Sequence, residues 1–185
     1  MMPAKKKSTT EALEFYLTYG LDIKSRTVFL EGEIDEDSVA LIIRGITAML
    51  QDNSEKPIKM FINSGGGSIY EGFALYDFLE QLPCELHTIN YGKAMSMALI
   101  IYLVGDVRIS TPRATFMNHS SSGAAGGKIA DMKNDVKEID RLENLCYDIL
   151  AEKTNHTKQW WAKASKYEDC YYDKKQAKKL GIVTE

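Results

Sequence analysis

The segment Ile58-Lys-Met-Phe-Ile-Asn-Ser-Gly-Gly-Gly-Ser68 sets the class of architecture. Ile58 to Asn63 is a short apolar run of strand character, and the glycines behind it allow a sharp turn. Ile69, Phe73, Ala74, Tyr76, Phe78 and Leu79 then recur at helical spacing. Strand, glycine turn and helix form the opening of a βαβ unit, and the flanking sequence repeats the pattern. Upstream, Thr27 to Gly32 is β-rich. It is followed by the helix-start signal Asp35-Glu-Asp-Ser38 and by Val39, Leu41, Ile42, Ile43, Ile46 and Leu50. Downstream, Leu86 to Tyr91 is a third strand and Ala94 to Val104 a buried helix. Short strands are expected near Val107 to Ser110 and Ala114 to Asn118. Parallel strands need a crossover, usually helical, so the alternation predicts an α/β fold built on a parallel sheet.

The last third differs. Ile129, Met132, Val136, Ile139, Leu142, Leu145, Ile149 and Leu150 form one stripe along a pattern running from Lys128 to Lys153. Such a helix either projects from the globule to pack on another subunit or covers its own sheet, and the pattern admits both. Trp160, Trp161, Tyr167, Tyr171 and Tyr172 read as packing the tail of this helix onto the body, and the lysine pairs at 174–175 and 178–179 as a solvated helix face.

The 185 residues suit one domain, read as residues 13–185 behind a flexible tail of residues 1–12. A net charge of −3 gives no electrostatic reason to expect nucleic acid or an anionic membrane as partner. The longest apolar run, Ala94 to Val104, is shorter than the roughly 18 residues that span a bilayer, so a soluble cytoplasmic protein is expected. Cys84, Cys146 and Cys170 form no CxxC pair and read as free thiols. No HExxH or His/Cys cluster has metal spacing, so neither a metal nor a cofactor is expected in this chain.

In a parallel sheet, sites form beyond the carboxyl ends of the strands. Three such ends carry chemistry here: Asn63 to Gly67, Gly92 to Met97, and His119. Ser96 heads an apolar helix, where unpaired N–H groups favour negative charge. The N–H of Gly67 and that of Met97, next after Ser96, are candidates for an oxyanion hole. His119 is the candidate base that takes the serine proton and returns it to a leaving amine.

Five ordered stretches carry a resemblance to a known family. They are Arg26-Thr-Val-Phe-Leu-Glu-Gly32, Phe61-Ile-Asn-Ser-Gly-Gly-Gly67, Gly92-Lys-Ala-Met-Ser-Met97, Phe116-Met-Asn-His119 and Ala177-Lys-Lys-Leu-Gly-Ile-Val183. The chain resembles the proteolytic subunit of the Clp (caseinolytic) protease, the ClpP family of serine peptidases (family S14), from about Ala12 to Val183. The resemblance implies a ClpP/crotonase-type fold with a projecting handle over about residues 120–155. It implies Ser96 as nucleophile, His119 as base, and Gly67 and Met97 as oxyanion donors. Gly66 and the Gly-rich strand with Gly123, Ala124 and Ala125 would bind extended substrate. Partners implied are a homo-oligomer of two stacked heptameric rings and an AAA+ unfoldase of the ClpX, ClpA or ClpC type, which consumes the ATP. Mixed rings with a related subunit are a further implication.

The departures are specific. The family's Asn-Ser-Pro-Gly-Gly reads Asn63-Ser-Gly-Gly-Gly67, and its His-Gln-Pro reads His119-Ser-Ser121. Ser165 aligns with the usual triad aspartate, or Ala164 if one residue is skipped, and Asp169 is the nearest acidic candidate to replace it, ahead of Glu168 and Asp173. The amino-terminal segment lacks the family's apolar-Pro pattern. Divergence of this kind is similar to that of bacteriophage-encoded or accessory relatives, for which the compartment would be the host cytoplasm. Two other readings share these residues: a structural subunit that co-assembles with an active relative, and a crotonase-type acyl-CoA enzyme. The second needs neither Ser96 nor His119.

Overall fold

A computed structural model describes residues 21–122 and 126–185. Among these residues seven strands form one sheet: β1 (Leu21–Asp22), β2 (Thr27–Ile34), β3 (Ile58–Gly67), β4 (Leu86–Met95), β5 (Val107–Ser110), β6 (Thr115–Asn118) and β7 (Cys170–Tyr172). The helices are α1 (Glu36–Asp52), α2 (Ile69–Glu80), α3 (Met97–Tyr102), α4 (Ile129–Lys153), α5 (Lys158–Ala164) and α6 (Lys174–Leu180). The pairs β2–β3, β3–β4, β4–β5 and β4–β6 are parallel, while β1 and β7 add antiparallel edges. The expected mixed α/β architecture is the one observed.

Local chemistry explains the elements. Asp35 caps α1 through a reciprocal box: Ser38 N–H donates to Asp35 Oδ1 at 2.8 Å and Asp35 N–H to Ser38 Oγ at 3.0 Å. The inward residues of β2 and β3 (Val28, Leu30, Ile58, Met60 and Ile62) are fully buried and meet α1 residues Ile42, Ile46 and Met49 in one core. The buried guanidinium of Arg26 ties this layer together by donating to three carbonyl oxygens: Met49 at 2.6 Å, Lys56 at 2.9 Å and Pro57 at 3.2 Å. Charge-assisted bonds of this kind are roughly twice as strong as neutral ones.

Several boundaries move. β3 runs on through the glycines to Gly67, so these are extended backbone paired with β2 (Glu33 to Gly66, Ile34 to Gly67) and not a free loop. β4 runs to Met95, and the buried helix is shortened to Met97–Tyr102, because Lys93, Ala94 and Met95 pair with β6. β4 serves two partners in turn: His87 to Asn90 pair with β5, and Lys93 to Met95 with β6. That fork brings the end of β6 beside the end of β4.

The stripe helix divides into two halves. Leu142, Tyr147 and Leu150 are buried against the body, whereas Ile129 is 74% exposed and Val136 59% exposed. The first half of α4 therefore stands clear of the globule, and the second half covers it. The aromatic tail departs from expectation. Trp161 is fully buried, with its Nε1–H donating to Thr154 Oγ1 at 2.9 Å, but Tyr167 and Tyr171 are exposed and Trp160 stacks on His156. Tyr171 faces solvent because it lies in β7, where neighbouring side chains point to opposite faces. No helix among the described residues is long and apolar enough to cross a membrane. The three cysteines are free.

Candidate active site

Ser96 is not in the first turn of a helix, as its apolar neighbours suggest, but in the single-residue corner between β4 and α3. Its φ of +53° lies in a region that non-glycine residues rarely occupy. The corner is held from both sides. Ser96 N–H donates to Met117 O of β6 at 2.9 Å, and Ser96 O accepts from Leu99 N–H of α3 at 3.0 Å. A strained corner of this type lifts the hydroxyl out of the strand and turns it away from capping its own helix; no side-chain cap is formed there.

β6 runs parallel to β4 with Met95 opposite Met117, which sets His119 just past the same edge. His119 Nε2 lies 2.8 Å from Ser96 Oγ. The contact suits a hydroxyl donating to a neutral imidazole, the arrangement needed for general-base chemistry.

Asp169 arrives from the opposite direction. β7 is antiparallel to β6, with Asn118 opposite Cys170, so the residue just before β7 meets the residue just after β6. Asp169 Oδ1 stands 3.7 Å from His119 Nδ1. That distance is within ion-pair range but outside a hydrogen bond. The Asp169 side chain is 53% exposed, so solvent weakens the attraction. Ser165 is 1% exposed and is engaged elsewhere: its Oγ donates to Trp161 O at 3.0 Å and meets Tyr147 OH at 3.1 Å. The position that aligns with the family aspartate is thus a buried link between α4 and α5.

Gly66 lies against Ser96. A Cβ on Gly66, whose φ is +102°, would stand 2.8 Å from Ser96 Cβ and 3.1 Å from Met97 N. As the first residue of α3, Met97 has an N–H for which the helix supplies no carbonyl. Gly67, Ser96, Met97 and His119 all line one pocket of about 240 Å³. Gly123, Ala124 and Ala125 lie outside the described residues.

Sequence reading missed the far wall of this pocket. Glu143, Cys146 and Tyr147 project from α4 beside the apolar stripe, and Ser121 and Ser122 close the side next to His119. Glu143 Oε1 accepts Ser121 N–H at 2.5 Å, which ties the segment leaving the histidine to α4. Burial, with a smaller contribution from the charge of Glu143, pushes the Cys146 thiol up to about 12, so it behaves as an apolar wall. Their spacing, three and four residues apart on one helix face, was the available signal.

A family model described as Clp protease matches residues 9–185. That match spans all five stretches quoted from the sequence together with every pocket residue named above. The chain belongs to the Clp protease family.

Proposed function

We propose that this chain is a serine endopeptidase that cleaves unfolded polypeptides or peptides, with Ser96 as nucleophile and His119 as base. The observation that carries the reading is the 2.8 Å contact between His119 Nε2 and Ser96 Oγ at an open pocket. As Oγ adds to a peptide carbonyl, its proton passes to Nε2, and the carbonyl oxygen gains negative charge between the N–H groups of Gly67 and Met97. Collapse expels the amine, which takes the proton from His119. Water then releases the acyl group by the same steps in reverse. Asp169 acts through His119 as a positioning residue.

Assembly is part of the proposal. Ile129, Met132 and Val136 keep helical spacing on the exposed half of α4, a stripe suited to a second copy of the same helix. Stacked rings enclosing the sites, fed by an AAA+ ATPase that hydrolyses the ATP, are the arrangement we infer. One observation favours a second reading, that of a catalytically impaired subunit assembling with an active relative: at 3.7 Å Asp169 is too far from His119 Nδ1 for a hydrogen bond on that side of the imidazole.

Labelling decides between them. A fluorophosphonate probe is expected to modify Ser96 in the assembled protein between about pH 6 and 9. Absence of label throughout that range would remove the peptidase reading. If the probe reacts, Asp169→Asn measures what the carboxylate contributes. Because it is partly solvated and 3.7 Å away, kcat should fall about 10- to 100-fold, less than for a buried triad aspartate, with KM within about twofold. An equal change in KM, or a lower melting temperature, would assign Asp169 a structural role.

A further inference from the structure

The pocket beside Ser96 joins apolar walls to one acid. Ile69 from α2, Ile100 from α3 and Cys146 from α4 supply a sleeve, and Glu143 from α4 stands in the same wall. Among the described residues lining it there is no lysine or arginine. Lys93 approaches Gly65, with its Nζ 3.8 Å from where a Cβ there would stand, but it does not line the pocket. The Glu143 carboxylate forms no ion pair among the described residues. It is held in place by Ser121 N–H on Oε1, which orients the group without neutralising it. A charge fixed in a half-buried wall next to the nucleophile acts on whatever side chain enters there.

Resting on the peptidase reading above, we propose that Glu143 is a specificity-determining residue. The residue whose carbonyl Ser96 attacks places its side chain in this pocket, and Glu143 favours a long aliphatic stem ending in a cation, lysine above all, and rejects acidic ones. The sleeve accepts the methylenes while the carboxylate meets the ammonium. An acidic side chain would bring like charges together in a partly desolvated space. Asn118 is the competing feature: its Nδ2 lies buried in the described structure with no hydrogen-bond partner, and the residue lines the same pocket. If that amide governed selection, a glutamine side chain, which offers it an acceptor, would win.

Four peptide aldehydes that differ only in their last residue (lysine, norleucine, glutamine and glutamate) are competed against the fluorophosphonate probe on the assembled protein. Lysine is expected to protect Ser96 about tenfold better than norleucine and at least about 100-fold better than glutamate. In Glu143→Gln, which keeps an oxygen for Ser121 N–H but loses the charge, the lysine-to-glutamate ratio should fall by about tenfold or more. A purely positional role for Glu143 would leave that ratio unchanged and overturn the inference, as would a preference for glutamine or norleucine in the unmodified chain. Ser96 that labels without any charge preference removes this inference alone. Ser96 that never labels removes the peptidase reading and this inference together.

Discussion

Replacing Ser96 by alanine should lower kcat for peptide cleavage by on the order of 10⁵- to 10⁶-fold and abolish fluorophosphonate labelling, with no loss of melting temperature. Its hydroxyl bonds to His119 and caps nothing, so the fold does not rest on it. The corner is held by the backbone, through Met117 O and Leu99 N–H, and these bonds survive the substitution. His119→Ala should cost a similar factor. A serine without its base is a poor nucleophile, and a base without its serine has nothing to activate. The double variant is therefore expected to be no slower than either single one. The residual rate would come from the Gly67 and Met97 N–H groups and from substrate binding. If the two losses multiplied instead, the groups would be acting in separate steps, and the shared-proton scheme would fail.

Gly67→Ala should do its damage to the fold. Gly67 has a φ of +155°, and a Cβ there would lie 2.3 Å from Ile34 O, 2.6 Å from Ile34 N and 2.9 Å from Ile34 C. These are backbone atoms that no side-chain rotation can move aside. Ile34 is also the residue opposite Gly67 in the β2–β3 ladder, and its oxygen accepts Ser68 N–H at 2.8 Å where α2 begins. The clash would push two strands and a helix start apart, at a cost of roughly 3–5 kcal/mol. A melting temperature about 10 °C lower, or insoluble protein, is the outcome to look for in a thermal scan. Gly32→Ala is the matched control. Its φ is +75°, yet nothing lies within 4 Å of the added carbon, so only the backbone preference of about 1 kcal/mol is lost. Equal effects at both positions would show that conformational preference, and not the close approach of β2, accounts for the glycine at 67.

The alternation of strands and helices was readable because each element carries its own period. The same holds for the Asp35 cap, where four consecutive residues contain the whole hydrogen-bond box. His119 was also legible as a candidate, since β6 ends at Asn118 as expected, whereas the corner at Ser96 was not, because β4 runs on to Met95. Glu143 was not, because on a helical wheel it sits beside the apolar stripe and looks like ordinary solvent-facing charge until Ser121 is seen to close on it. β7 was missed for a related reason. Three residues, Cys170 to Tyr172, are too few to show a period, and only pairing with Met117 and its neighbours makes them a strand.

Local patterning, then, was enough for the architecture and, together with the resemblance, for Ser96 and His119 as candidates, since elements carry their own periods and any parallel sheet collects its strand ends along one edge. Folding alone set how far the Asp169 carboxylate stands from the imidazole and left half of α4 uncovered. It also turned a surface-looking glutamate into a pocket wall. Each of those outcomes depends on contacts between segments far apart in sequence, and an antiparallel return such as β7 reverses which end of a strand reaches the site.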